Sequence, residues 1–250
     1  MLAKIRERMG ESYTSNQVLG RTQTIGYVAV EITQRCNLDC TLCYLSEYSQ
    51  SVKDIQIEEV FRRLDDIISH YGVGTHVQIT GGAPTLRKHT ELVEIVRYAA
   101  EIGLYPALFT NGIAATRTLL ENLAAVGLQD VAFHVGTTRR RAGCETEMDL
   151  NTIRKDYLAR AQGLCLMVVF NTTVHEGNFA HIPHLVRFFV EHSDEIGLVS
   201  FQLQVETGRG EWGSRDVLIT QQSMKKQIER GTANRLPWGV IDFGHGDCHS

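Results

Sequence analysis

The chain has 250 residues, 43% of them hydrophobic, enough to bury a sizeable core either in one α/β barrel or in two smaller domains. Its 25 basic and 29 acidic side chains give a formal net charge of −4, which excludes the strongly basic class that binds nucleic acid through bulk electrostatics. No apolar run is long enough to span a bilayer and the N-terminus lacks the apolar core of a signal peptide, so a cytoplasmic location is expected. The six cysteines then read as reduced ligands or core residues and not as a disulfide framework.

After an N-terminal extension over 1–24, one pattern repeats: a short apolar strand, a loop rich in glycine or polar residues, and an amphipathic helix. That alternation builds a parallel sheet covered by helices. The first strand, Tyr27 to Thr33, is rich in β-branched residues and runs into Arg35-Cys36-Asn37-Leu38-Asp39-Cys40-Thr41-Leu42-Cys43-Tyr44. Ile57, Val60, Phe61, Leu64, Ile67 and Ile68 then recur at helical spacing, and Gly72 follows as a stop. The second strand, Val77 to Thr80, ends in Gly81-Gly82, after which Leu92, Ile95, Val96 and Ala99 mark a helix closed by Gly103. Four further strands are expected at Leu104 to Phe109, Leu128 to Val135, Leu164 to Asn171 and Leu198 to Val205. Cys165 falls inside the fifth strand and reads as core, while Arg139-Arg140-Arg141 reads as a solvated loop.

Six strand-helix units predict a partial (β/α)6 TIM-like barrel over 25–206. A C-terminal extension over 207–250 follows, in which the rhythm stops from about Glu211. A parallel barrel places its chemistry at the C-terminal ends of its strands. The cysteine loop, Gly81-Gly82, Thr110-Asn111-Gly112, His134, Asn171 and Glu206 all fall at such ends. Gly-Gly and Asn-Gly also mark ordinary turns. A histidine that closes an apolar strand is as readily satisfied by a local hydrogen bond as turned toward a site. Gly81 and Gly82 let backbone approach a ligand closely, the amides of Asn111 and Asn171 both donate and accept, and Arg209 either meets an anionic group or decorates a loop.

Cys36, Cys40 and Cys43 carry the most specific chemistry. A cubane iron-sulfur cluster takes four thiolates, one for each iron. A loop that offers three leaves one iron open to a substrate or cofactor, by the logic that separates catalytic from structural zinc. A zinc knuckle pairs two close cysteines with a second pair, or with histidines, further along, and the sequence has no such second pair. The competing reading is a non-catalytic iron-sulfur or zinc-binding scaffold protein.

Cys36-x-x-x-Cys40-x-x-Cys43 at the end of a strand resembles the signature of the radical S-adenosylmethionine (SAM) superfamily. The resemblance runs over most of residues 25–205, through Thr80-Gly81-Gly82-Ala83-Pro84-Thr85, Phe109-Thr110-Asn111-Gly112 and Asn171-Thr172-Thr173-Val174. It implies an oxidoreductase or transferase in which the three cysteines hold a [4Fe-4S] cluster and the open iron chelates the amino and carboxylate groups of SAM. An electron, delivered by a donor such as flavodoxin or ferredoxin, then breaks the sulfonium to a 5′-deoxyadenosyl radical. That radical abstracts hydrogen from a small molecule, lipid or peptide that the sequence does not identify.

The same resemblance implies that Gly81, Gly82 and Ala83 meet the SAM amino group, that Leu42 forms an apolar wall for the adenine, and that Asn111 and Asn171 hold ribose hydroxyls or the carboxylate. His134 would face the site. Two positions depart from the family's pattern: Ala83 stands where a glutamate usually follows the glycines, and Leu42 where an aromatic residue is common. The threonine after Gly-Gly-x-Pro and the Asn-Thr-Thr-Val strand resemble lipid- or peptide-modifying members. The ending Gly244-His245-Gly246-Asp247-Cys248-His249-Ser250 resembles the start of an auxiliary-cluster segment. Only Cys144, Cys165 and Cys248 remain for a second cluster, which needs about four ligands.

Overall fold

The computed structural model describes residues 27–138, 141, 143–209 and 218–235. Within them, β1 (Val28–Thr33), β2 (His76–Gly81), β3 (Tyr105–Thr110), β4 (Asp130–His134), β5 (Met167–Val174) and β6 (Ile196–Leu203) form one parallel sheet in strict chain order. Each parallel step needs a crossover, supplied by α1 (Ile57–Tyr71), α2 (His89–Glu101), α3 (Arg117–Ala125), α4 (Asn151–Ala161), and the one-turn α5 (Glu176–Phe179) with α6 (Ile182–Glu191). The result is the expected six-stranded α/β architecture of a partial barrel, with β1 and β6 as its edges.

Period-two alternation sorts each strand into two faces. Val30 and Ile32, Val77 and Ile79, Val131 and Phe133, and Val168 and Phe170 point outward and are buried beneath the helices in one continuous core. The helices answer with apolar stripes. Val60, Leu64 and Ile67 make the buried face of α1, which carries Glu58 and Glu59 in its first turn, where the helix dipole favours carboxylates, and ends at Gly72 with φ +82°. Each fully buried aliphatic or aromatic side chain contributes about 1.5–3 kcal/mol.

Three expectations need correction. Met167 opens β5, and Cys165 lies before it in a turn, exposed and at φ +58°. The chain reverses there from α4 through Gly163 and Cys165, both with positive φ, so Cys165 cannot belong to the core. β5 runs on to Val174, which places Asn171 inside the strand, paired with His134. The strand-helix rhythm also continues past β6. A further helix, α7 (Gln221–Gly231), capped by the Thr220 hydroxyl, packs its Met224 with Val174, Ile182 and Val186. The extension over 1–24, Arg139, Arg140, Glu211 and the ending with Cys248 lie outside the described residues. No helix among the described residues is long and apolar enough to cross a membrane.

Candidate active site

The inward residues of the strands, polar ones such as Glu31, Gln78, Thr80 and His134 with Ala29 and Phe109 among them, line a cavity of about 380 Å³ together with the loops at the C-terminal ends. Cys36, Cys40 and Cys43 share its wall with Leu42, Gly81, Gly82, Asn111 and His134. None of the three cysteines is in a disulfide. The loop that carries them has few backbone bonds of its own, and four neighbouring segments hold it in place.

At its start, Gly82 N–H donates to Thr33 O (2.8 Å) and Ala83 N–H to Arg35 O (2.7 Å). A Cβ on Gly81 would lie 1.9 Å from Thr33 O, and one on Gly82 would lie 2.2 Å from Arg35 O. The glycine pair therefore lets the exit of β1 lie directly against the end of β2. Arg35 forks onto Asp54 (2.5 and 3.2 Å), which also accepts from Thr33 Oγ1 at 2.6 Å. Burial acts to raise the Asp54 pKa, but the bonds from Arg35 and Thr33 outweigh it and hold the carboxyl below its ordinary value.

The second support is the Gln50 side chain, which brackets Cys36 by accepting from its N–H (3.4 Å) and donating to its carbonyl (2.7 Å). The third lies between Cys40 and Cys43, where Thr41 donates through both N–H (3.1 Å) and Oγ1 (3.3 Å) to Thr138 O. Last comes the chain after β6, where Arg209 N–H donates to Cys43 O (2.8 Å) and its guanidinium pairs with Asp39 at 2.6 Å. Gly208 allows that approach, because a Cβ there would lie 2.3 Å from Tyr44 O. Arg209 is thus tied to the cysteine loop through the Asp39 carboxylate and the Cys43 carbonyl.

Asn111 stands beside the first thiol. Its Nδ2 donates to Cys36 Sγ (3.6 Å) and to Asn37 Oδ1 (2.6 Å), while its Oδ1 accepts from Ile113 N–H (3.0 Å). The Asn111 carbonyl accepts from Arg141 (2.9 Å) and Tyr157 Oη (3.1 Å), so Arg141 is a structural clamp and not a solvated residue of a basic run. Asn171 and His134 form a second pair. Asn171 Nδ2 lies 3.5 Å from His134 Nδ1, and His134 Nε2 lies 3.1 Å from Thr173 Oγ1. With the amide as donor, Nε2 carries the ring proton toward Thr173. Asn171 is 1% exposed, and its Oδ1 has no hydrogen-bond partner among the described residues. Ala83 is fully buried off the cavity wall, its carbonyl accepting from Leu86 N–H at 2.9 Å.

Behind Thr138 lies a buried network that composition alone does not announce. Glu147 and Arg154, both 0% exposed, meet at 2.5 Å. Glu147 Oε1 also accepts from Thr137 N–H (2.9 Å), Thr137 Oγ1 (3.0 Å) and Asn178 Nδ2 (2.8 Å). Removing one partner of such a pair costs about 3–5 kcal/mol, because the other is left charged in the interior. His175 Nδ1 accepts from Gly177 N–H, so Nε2–H donates to Thr137 Oγ1 at 3.1 Å. Burial lowers the His175 pKa against the opposing pull of Glu147. Sequence reasoning missed these groups, and with them Glu31, Gln78, Thr80, Gln202 and Gln204 on the cavity wall. Alternation of polar with β-branched residues in β1 and β2 was the signal for Glu31, Gln78 and Thr80.

All three donors are cysteine thiols of one loop, the ligand type that holds iron-sulfur clusters with one thiolate for each iron.

A family model described as the radical SAM superfamily matches residues 30–163, more than half of the chain. The chain is 31% identical over 172 residues to the PqqA peptide cyclase of Bradyrhizobium diazoefficiens, covering 66% of this chain and 43% of that protein. Over 235 residues it is 27% identical to the PqqA peptide cyclase of Xanthomonas euvesicatoria, covering 89% and 60%. It therefore spans about half the length of the curated relatives it matches. Among solved structures, methylornithine synthase (PylB) has a TM-score of 0.62 at 16% identity, covering 92% of this chain and 66% of that one. The enzyme anSMEcpe with bound AdoMet and Kp18Cys peptide has a TM-score of 0.60 at 13% identity, covering 84% and 62%. Both share the fold.

Proposed function

This chain belongs to the radical SAM superfamily, and from that membership we propose that Cys36, Cys40 and Cys43 hold a [4Fe-4S] cluster whose open iron takes SAM, above a cavity that receives a peptide segment. One observation carries the reading: three thiols from one loop line a cavity at the C-terminal ends of six parallel strands. When bound, the cluster and SAM supply an electron and a 5′-deoxyadenosyl radical able to abstract hydrogen from an unactivated carbon.

The protein's own residues do the rest by position. Leu42 and the Gly81-Gly82 edge stand beside the thiols as the SAM-facing wall. Asn111, on the cavity wall, reaches Cys36, and Asn171 acts from behind it through His134. Supports on four sides keep the cysteine loop in one geometry, so that little reorganisation is needed when charge moves. Gln78, Gln202 and Gln204, with Thr80 and Thr173, line the cavity with groups that both donate and accept, which suits backbone amides. The cavity volume lies in the range of small-ligand sites, about 300–1,000 Å³. The peptide class also agrees with the names of the PqqA peptide cyclases and of the peptide-bound anSMEcpe structure.

Anaerobic reconstitution tests the reading. About four irons per chain are expected, and dithionite with SAM should release 5′-deoxyadenosine. Cys36→Ala, Cys40→Ala and Cys43→Ala should each abolish that release. A fully reconstituted protein that leaves SAM intact overturns the assignment in favour of the scaffold reading.

A further inference from the structure

The cavity wall holds one charged side chain that the reading above leaves without a role. Glu31 sits on β1 ahead of the cysteine loop, paired across the sheet with Thr80. Its Cγ lies 3.1 Å from where a side chain on Gly81 would begin, so the carboxylate stands directly beside the Gly81-Gly82 edge. Gln34 Nε2 donates to Glu31 Oε1 at 2.8 Å. The Tyr44 hydroxyl, which donates to Gly81 O at 3.1 Å, lies 3.5 Å from Glu31 Oε2. The Gln34 amide therefore orients the carboxylate, and being neutral it leaves the charge uncompensated. Among the described residues that line the cavity, none is Lys or Arg. A fixed negative charge in a walled cleft concentrates cations.

We propose that Glu31, held by Gln34, is the residue that binds an ammonium group in this cavity. The inference rests on the SAM-dependent reading and adds to it the charge of the group recognised. An ammonium can come from two sources: the amino group of SAM, or an amine on the substrate such as a lysine side chain. In either case the carboxylate accepts N–H bonds from the cation and fixes one end of the ligand relative to the thiols.

The test uses the reconstituted protein, with Glu31→Gln to remove the charge at constant shape and Glu31→Asp as the conservative variant. Equal iron content and equal thermal midpoints establish that the variants are folded. Equilibrium dialysis with SAM reads the first source. Binding of N-acetyl-lysine methylamide against its norleucine counterpart, to SAM-loaded protein, reads the second. If the SAM amine is the ligand, Glu31→Gln weakens SAM binding roughly 10- to 100-fold, the loss of one charge-assisted hydrogen bond, and Glu31→Asp restores part of it. If a substrate amine is the ligand, SAM binding is unchanged and the preference for lysine over norleucine disappears. Unchanged SAM affinity together with no preference for lysine in the wild type overturns the inference while leaving the function intact. Wild-type protein that takes up its irons and binds no SAM overturns both.

Discussion

On the outer face of the sheet Val77, Ile79, Val131, Phe133 and Phe170 are fully buried under helices, whereas one residue along each strand Glu31, Gln78, Thr80 and His134 face the cavity and keep contact with solvent. The same strands carry two interleaved sequences. One buries apolar area and holds the domain together. The other contributes little to stability and supplies the site. Because the period is two, a substitution falls on one face or the other, and its consequences should separate accordingly.

The largest separation is expected between Phe133→Ala and Gln78→Ala. Phe133 packs against Tyr157 and Phe170 at centroid distances of 4.8 and 6.0 Å, and its truncation should cost about 3–5 kcal/mol in urea-induced unfolding. Gln78, half-buried on the cavity wall, should change stability by less than about 0.5 kcal/mol. Similar losses from the two variants would break the comparison, since the inner face would then be structural as well.

Much of the outer face was legible in the sequence, and the inner face far less so. Helical spacing from Ile57 to Ile68 and the β-branched runs placed the first elements within a few residues, because burial against one partner layer leaves a periodic record. The three cysteines were legible because their spacing is local. The bond from Asn111 to Cys36 and the pairing of Glu147 with Arg154 were not. Such pairings depend on which loops the topology brings together, and a single chain carries no local signal of them. Arg209 shows the same limit: the sequence leaves it between an anionic group and a loop surface, and only the path after β6 brings it to Asp39, far back in the chain. Gly81-Gly82 was recognised as a place of close approach. The structure supplies the backbone exit of β1 as the neighbour that requires the missing Cβ.

The seam between the two faces can be tested at that glycine pair. Gly82→Ala would set a Cβ 2.2 Å from Arg35 O and 2.6 Å from Gln34 O, both backbone atoms that cannot swing aside. The Gly82–Thr33 and Ala83–Arg35 backbone bonds must give way, a loss of about 2 kcal/mol at about 1 kcal/mol each, with the cysteine loop displaced. Iron uptake should fall in proportion more than helicity measured by circular dichroism. Gly136→Ala is the control, since its nearest contacts lie at 3.6 Å and an added methyl fits. Equal iron content in the two variants would show that the glycine pair does not position the loop.

The smallest effect is also the most local. Asn111 is held by Ile113 N–H on one side and presents Nδ2 to Cys36 Sγ on the other. Hydrogen bonds to cluster sulfurs stabilise the reduced state, which carries the extra negative charge, and so raise the reduction potential. A weak bond of about 1 kcal/mol corresponds to roughly 40 mV for a one-electron couple. Asn111→Ala should therefore make the potential more negative by about that amount in a titration followed by electron paramagnetic resonance. Asn111→Asp preserves the acceptor for Ile113 but replaces the donor with a negative charge, so it should move the potential further in the same direction. A potential unmoved by either variant would mean that the amide does not reach the thiolate once the cluster is bound. Asn111 would then belong with the clamp formed by Arg141 and Tyr157, on the structural side of the comparison.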